Sequence, residues 1–258
     1  MKAFKEIFQG LTSAYGQTVL SESYSENGKQ KTKSFTVKKP VTDELWENHL
    51  KGKEPGLGIV PINENNKCRW GCIDIDEYNF NHKKLIKLLN QKELPLIVFR
   101  SKSGGAHLFL FTNEPVEASL MRLKLKLIAA HLGYSSSEIF PKQEYILADR
   151  GDTGNFLNLP YHGGDKSTRY AFLENGDASN LSDFVLLHKK NSLNKKQLEN
   201  LHVETKKQVK NGSVTDGPPC LQTLCSEGFP EGSRNDGLYN IGVYLKKAKP
   251  DNWKTELE

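Results

Sequence analysis

The chain is predicted to adopt an α+β fold, a mixed or antiparallel sheet packed on helices, and three observations lead there. Short apolar runs of strand length recur between segments with helical spacing. Two of those runs, residues 96–100 and 107–111, are separated only by Ser101-Lys102-Ser103-Gly104-Gly105, a glycine turn that makes them a hairpin. A hairpin inside the run of elements argues against a doubly wound parallel sheet. The length of 258 residues, with 36% hydrophobic and 26% charged residues, is enough to bury a sizeable core.

Taken in order, Phe4, Ile7, Phe8 and Leu11 have helical spacing, and Thr42-Asp43-Glu44-Leu45-Trp46 has the form of a capped helix start. Residues 1–52 are therefore expected to be largely helical around a polar, lysine-rich excursion at 21–39, a loop or a loose hairpin. Strands are predicted at 56–62 and 68–76. An amphipathic helix follows over 83–94, with Leu85, Leu88 and Leu89 inward. After the hairpin comes a second helix over 116–132, closed by Gly133 as its C′ residue. Short strands at 138–140, 155–159 and 170–173 and a helix near 181–188 complete a first domain, residues 1–190. A basic polar linker is expected at 191–217, ending in Gly217-Pro218-Pro219. Residues 218–258 then read as the start of a small helical domain, cut short.

Several classes are excluded. No run approaches 18 consecutive apolar residues, so no membrane partner is expected. Met1-Lys2-Ala3-Phe4-Lys5-Glu6 contains no apolar signal region, which points to the cytoplasm. Four cysteines invite a zinc site, but Cys68 and Cys72 on one strand would lie ~13 Å apart. Both sulfurs would have to approach within ~2.3 Å of the metal, and Cys220 and Cys225 lack zinc-ribbon spacing. No structural zinc is expected. The net charge is +5, and residues 189–210 hold seven lysines against Glu199 and Glu204. That run suits phosphates or a solvated surface equally.

The chemistry concentrates in two motifs. In Ile73-Asp74-Ile75-Asp76 the aspartates share one strand face ~6.6 Å apart, while the isoleucines face the core. Two crowded carboxylates repel, and a hard divalent cation relieves the repulsion. A third acid usually completes such a cage, and Glu138 opens a predicted neighbouring strand. The turn Ser103-Gly104-Gly105-Ala106-His107 suits a phosphate. Its glycines bare backbone N–H groups, Ser103 offers a hydroxyl, Lys102 adds charge, and His107 starts the outgoing strand. A plain hairpin tip with a surface histidine is the competing account. In Asn155-Phe156-Leu157-Asn158-Leu159-Pro160-Tyr161-His162, Asn158 and His162 are candidates for contact with a sugar or phosphate. A strand-end turn tied by amide hydrogen bonds would explain them equally well.

Together these motifs resemble the archaeo-eukaryotic primase superfamily, the primase-polymerases, over residues 40–190. The signature is an Asp-x-Asp strand, a Ser-Gly-x-Gly-x-His-type turn and a later strand-borne acid. The segments SGGAHLFLF, EIFPKQ and NFLNLPYH are similar to the phage and mobile-element branch. Pro218-Pro219-Cys220 with Glu231-Gly232-Ser233-Arg234-Asn235 resembles the small helical module of phage primase–helicase proteins. No phosphate-binding Gly-x-x-x-x-Gly-Lys-Ser/Thr run is present, so any helicase would be fused beyond this chain or separate.

The resemblance implies an RRM-like sheet that binds a single-stranded DNA template and primer, an incoming dNTP or NTP, and Mg²⁺ or Mn²⁺. It implies Asp74, Asp76 and Glu138 as metal ligands. It further implies Lys102, Ser103, Gly104, Gly105, His107 and Lys142 at the triphosphate, and Asn158 and His162 by the sugar or phosphates. Many relatives have aspartate where Glu138 stands. A metal-dependent nuclease or replication initiator would need a nucleophilic tyrosine beside a two-histidine motif or a catalytic base, and no His-x-His occurs. A non-catalytic single-strand-binding module is the remaining rival.

Overall fold

The computed structural model describes residues 1–24, 30–77, 79–203, 216–228 and 234–257. The chain divides into two compact units, Met1–Val203 and Glu204–Glu258.

The first unit is α+β, with two four-stranded sheets and helices packed against them. Its centre is β4 (Lys67–Ile75), α3 (His82–Gln91), β5 (Ile97–Arg100), β6 (Ala106–Glu117), α4 (Ala118–Leu132) and β7 (Glu138–Phe140). The strands pair in the order β5-β6-β4-β7, all antiparallel. That β-α-β-β-α-β succession, with its first and third strands central, is the RRM-like arrangement. Alternation along the strands splits the core in two. Ile73 and Ile75 of β4, with Leu108 and Leu110 of β6, face Leu85, Ile86 and Leu89 of α3 and Met121, Leu125 and Ile128 of α4. Trp70, Cys72, Phe99, Phe109, Phe111 and Phe140 face the other way, into an aromatic cluster with Phe4 and Phe8 of α1 (Lys2–Ile7 and its cap) and Phe184 of α5 (Leu181–Asn191).

The second sheet closes that aromatic cluster. It pairs β2 (Gln30–Val37), β1 (Tyr15–Tyr24), β3 (Gly56–Ile59) and β8 (Leu157–Asn158) in that order. Leu57, Ile59, Leu157 and Leu159 supply its buried side. The amino-terminal part is thus less helical than its sequence suggests. Of the two forms expected for 21–39 it is the hairpin that occurs, as β1 and β2, and it begins earlier, at Tyr15, between α1 and α2 (Asp43–Leu50). Tyr15, Thr18, Val19, Phe35, Thr36 and Val37 are aromatic or β-branched, a strand composition that the surrounding lysines obscure. Residues 170–173 form isolated bridges instead of a strand, through Phe99 to Ala171 and Phe172 to Ala178.

The expected linker also begins later than its composition implies. Leu193 bridges Thr112 of β6, and α6 (Lys195–Glu199) is closed at its start by an Asn194–Gln197 capping box. Leu198 is fully buried, so residues 191–203 belong to the first unit. Residues 204–215 of the linker lie outside the described residues, as do 231–233 of the second resemblance. The second unit holds α7 (Pro219–Glu227), α8 (Arg234–Ala248) and α9 (Trp253–Leu257) around Leu221, Ile241 and Leu245. Among the described residues no helix is long and apolar enough to cross a membrane. Cys68 enters the helix-side core and Cys72 the aromatic one, so the two thiols lie on opposite faces of β4.

His49 ties α2 to the second sheet. It is 1% exposed; its Nδ1 accepts the Leu57 N–H at 3.0 Å and its Nε2 donates to the Pro160 carbonyl at 2.8 Å. Burial pushes its pKa down to about 3, against a smaller opposing effect of the Pro160 hydrogen bond. Burial likewise lowers His188 to about 4. Between those values and the ordinary ~6.5 the unfolded chain binds the extra protons, so stability is complete well above pH 6.5 and falls as the pH drops through and below it. Urea unfolding is expected to lose up to about 1.4 kcal/mol per pH unit for His49 below about pH 6, with a smaller loss for the less buried His188. A flat dependence across that window would contradict the neutral, buried state of both rings.

Candidate active site

Strand β4 carries the site on its aromatic-core face. Trp70, Cys72 and Asp74 alternate along that face, and Asp74 lies where the strand leaves the packed interior. The ladder then sets its neighbours. Asp74 pairs with His107 on β6 and with Glu138 on β7, so three ionisable residues from three strands stand in one row with Asp74 in the middle. Asp76 follows one residue past the strand end. The charge of Asp74, above all, holds the Asp76 carboxyl above its ordinary range. Partial burial and Glu138 add to the effect, and His107 opposes it.

Asp74 Oδ1 is buried and accepts no hydrogen bond, although His107 Nε2 lies 3.1 Å away. The pair has the separation of an ion pair without hydrogen-bond direction. A buried carboxylate oxygen left without a donor costs free energy, and a cation is the partner that suits it. Glu138 is turned differently. Its side chain is 58% exposed and pairs with Lys142 Nζ at 2.8 Å, and that ammonium also lies 5.2 Å from the Phe140 ring. Among the described residues no three acidic, histidine or cysteine side chains converge closely enough to hold a metal. The expectation that three acids already gather at one point is therefore corrected. Asp74 and Asp76 feel each other's charge, and Glu138 stands beside Asp74 on the ladder in a surface ion pair. Such a pair is worth only about 0–1 kcal/mol, so releasing Glu138 from Lys142 costs little.

The glycine turn joins β5 to β6 at the same end of the sheet. Ser101 N–H donates to the Gly105 carbonyl at 3.0 Å, and Gly104 N–H donates to the Ser101 carbonyl at 3.2 Å. Gly104 has φ +95°, which favours glycine. Gly105 is required by close approach. A Cβ there would lie 2.2 Å from the Ile75 carbonyl, between the two acids in sequence. Lys102 and Ser103 are exposed at the tip, and Ser103 Oγ lies 3.1 Å from the buried Ser101 Oγ. His82 at the start of α3 donates from Nε2 to the Gly105 carbonyl at 2.9 Å.

Asn158 and His162 belong to the second sheet and its exit. Asn158 pairs with Gly58 on β3 and accepts a hydrogen bond from Thr18 Oγ1 at 3.2 Å. His162 Nε2 lies 3.2 Å from the Lys53 carbonyl and 3.9 Å from Glu54 Oε1, with its ring 5.2 Å from His49. Among the described residues no hydrogen bond or ion pair joins either to the acids. Two positioning residues carry no motif of their own, His82 and Arg100. The latter donates to the Thr168 carbonyl at 3.2 Å and passes 3.6 Å from the space a Gly104 side chain would take. Arg100 directly precedes the turn, which is the only sequence signal it carries.

The family model described as "TOTE conflict system, Archaeo-Eukaryotic Primase domain" matches residues 3–201. No curated protein matches the chain. Among solved structures, the AEP domain of the cyanophage S-2L primase-polymerase is 10% identical, covering 71% of this chain and 94% of that one at TM-score 0.36. The catalytic domain of primase RepB′ in complex with initiator DNA is 8% identical, covering 69% and 86% at TM-score 0.32. A further structure of primase RepB′ is 9% identical, covering 97% and 75% at TM-score 0.33.

Proposed function

Because the chain belongs to the archaeo-eukaryotic primase domain family of TOTE conflict systems, we propose that it is a primase-polymerase. It would transfer nucleotides from dNTPs or NTPs to a 3′-hydroxyl on a single-stranded DNA template, with Mg²⁺ or Mn²⁺. The observation that supports this reading most is Asp74, with a buried oxygen lacking a donor, flanked on the ladder by His107 and Glu138.

Asp74 and Asp76 fit a divalent cation by charge and by the repulsion between them, and Glu138 would complete the set on leaving Lys142. The cation would supply charge stabilisation as the 3′-oxygen attacks the α-phosphate and pyrophosphate leaves. His107, 3.1 Å from Asp74 on the neighbouring strand, would contact the phosphates. The Ser103 hydroxyl and the turn's N–H groups other than that of Gly104, which the Ser101 carbonyl holds, would orient the triphosphate, and Lys102 and Lys142 would offset its charge. Asn158 and His162 would reach the sugar or phosphates only if the nucleotide spans both sheets.

The test is incorporation of a labelled nucleotide on single-stranded templates, with and without primer, in Mg²⁺ and in Mn²⁺. Incorporation that stops on chelation is expected; a chain that cleaves the template instead would turn the assignment to a nuclease. His107→Ala is expected to raise KM for the nucleotide about ten-fold, with a smaller change in kcat. An unchanged KM would remove His107 from the triphosphate.

A further inference from the structure

Beyond Ile75 the chain passes Glu77 and Asn79 into α3, and an open cleft of about 690 Å³ lies along that helix. Glu77, Asn79, Phe80, Lys84, Lys87 and Tyr134 are among its lining residues. Three features define its chemistry. Lys84 and Lys87 are three apart on the exposed side of α3, opposite the buried Leu85, Ile86 and Leu89. Neither ammonium has an ion-pair or hydrogen-bond partner among the described residues, whereas neighbouring Lys83 lies 3.8 Å from Asp177. Two half-buried rings, Phe80 and Tyr134, stand 6.1 Å apart at 51° in the same wall.

Unpaired cations beside aromatic rings match a strand whose phosphates and bases are both accessible. Duplex DNA keeps its bases stacked and would leave the rings unused, and the acidic side chains of a peptide would meet the lysines but offer no flat ring of their own to set against Phe80 and Tyr134. The Glu77 carboxylate at the strand end repels phosphate, so a backbone would run along the Lys84–Lys87 side and present its bases towards Phe80 and Tyr134. The cleft starts one residue from Asp76, and His82 fastens the same end of α3 to the glycine turn.

We propose that the α3 cleft is a binding track for single-stranded DNA, carrying the template away from the acid pair. The word "template" rests on the primase-polymerase reading, whereas strand binding does not. The experiment separates the two. Anisotropy of a labelled oligo-dT strand with the full chain, without nucleotide triphosphate, is followed across a salt titration. Lys84→Gln with Lys87→Gln is expected to flatten the slope of log K against log salt by about 1.4, from ~0.7 for each phosphate that is no longer neutralised. Phe80→Leu, which keeps an apolar side chain but removes the ring, is expected to weaken binding roughly ten-fold with the slope unchanged. An unchanged slope in the double variant overturns the track. So does an equal loss for duplex DNA, or an equal loss in the distant control Lys2→Gln with Lys196→Gln. If the expected pattern holds in a chain that incorporates no nucleotide, the strand site stands and the polymerase assignment falls.

Discussion

Asp74→Asn is expected to reduce nucleotide incorporation by about a thousand-fold or more, the upper end for removing one charge-stabilising group. The same change is expected to leave the melting temperature unchanged or slightly raised. The wild-type carboxylate is held with one oxygen lacking a donor and repels Asp76, so its removal relieves cost in the fold while removing the site's central negative charge. A second readout follows from the same geometry. Since Asp74 is the largest cause of the raised Asp76 pKa, the Asp76 carboxyl is expected to return towards the ordinary range in the variant, as followed by NMR titration. Loss of activity with an unmoved Asp76 would mean that the two acids act apart, and full activity would remove Asp74 from the chemistry.

Gly105→Ala is expected to have the largest effect among changes that touch no ionisable group. Its Cβ would fall 2.2 Å from a backbone oxygen, that of Ile75, and 3.3 Å from the Glu77 nitrogen. Backbone on a central strand cannot move aside without shifting the end of β4. The expected destabilisation is about 3 kcal/mol, a fall of roughly 6–12 °C in Tm for a domain of this size, with incorporation lost because Asp74 and Asp76 flank the displaced carbonyl. Gly104→Ala, one residue earlier, is the contrast. There a Cβ meets only Arg100 Nη2 at 3.6 Å, and the cost is the φ of +95°, about 1 kcal/mol. Equal melting temperatures for the two variants would contradict the close approach.

The site is legible in the sequence where strand alternation carries it. Ile73 and Ile75 mark one face of β4 and Asp74 the other, and the glycines of the turn mark the reversal that returns His107 to Asp74. Even so, alternation reports a face and not a rotamer. It puts Glu138 beside Asp74 but cannot show that Lys142, four residues on, draws the carboxylate outward. His82 and Arg100 act through partners far along the chain, Gly105 and Thr168, and no local pattern announces such pairings. His49 sits in an ordinary amphipathic helix, and only the meeting of α2 with Leu57 and Pro160 makes it a buried tie. In the fold, the β1–β2 hairpin is obscured because its lysines and serines weaken the apolar alternation that the other strands display. Residues 191–203 resemble linker for a related reason. Lysines across 189–210 dominate the composition, while the apolar anchoring falls on scattered single residues such as Leu193 and Leu198.

That anchoring has a cause in β6. Between the pairs Cys68–Val116 and Trp70–Phe111, β4 spends one residue where β6 spends four. The surplus bulges out through the exposed residues Asn113, Glu114 and Pro115, with proline where no ladder N–H is needed. The bulge frees the Phe111 carbonyl and the Asn113 N–H, which take up Leu193 at 3.0 and 2.9 Å, while Glu114 Oε1 receives the Lys195 N–H at 2.9 Å. The smallest fragment that keeps the first unit whole therefore ends near Val203. A cut at 190 would strip the wrapper from an open notch in the central strand and leave backbone groups there as an adhesive edge for other molecules.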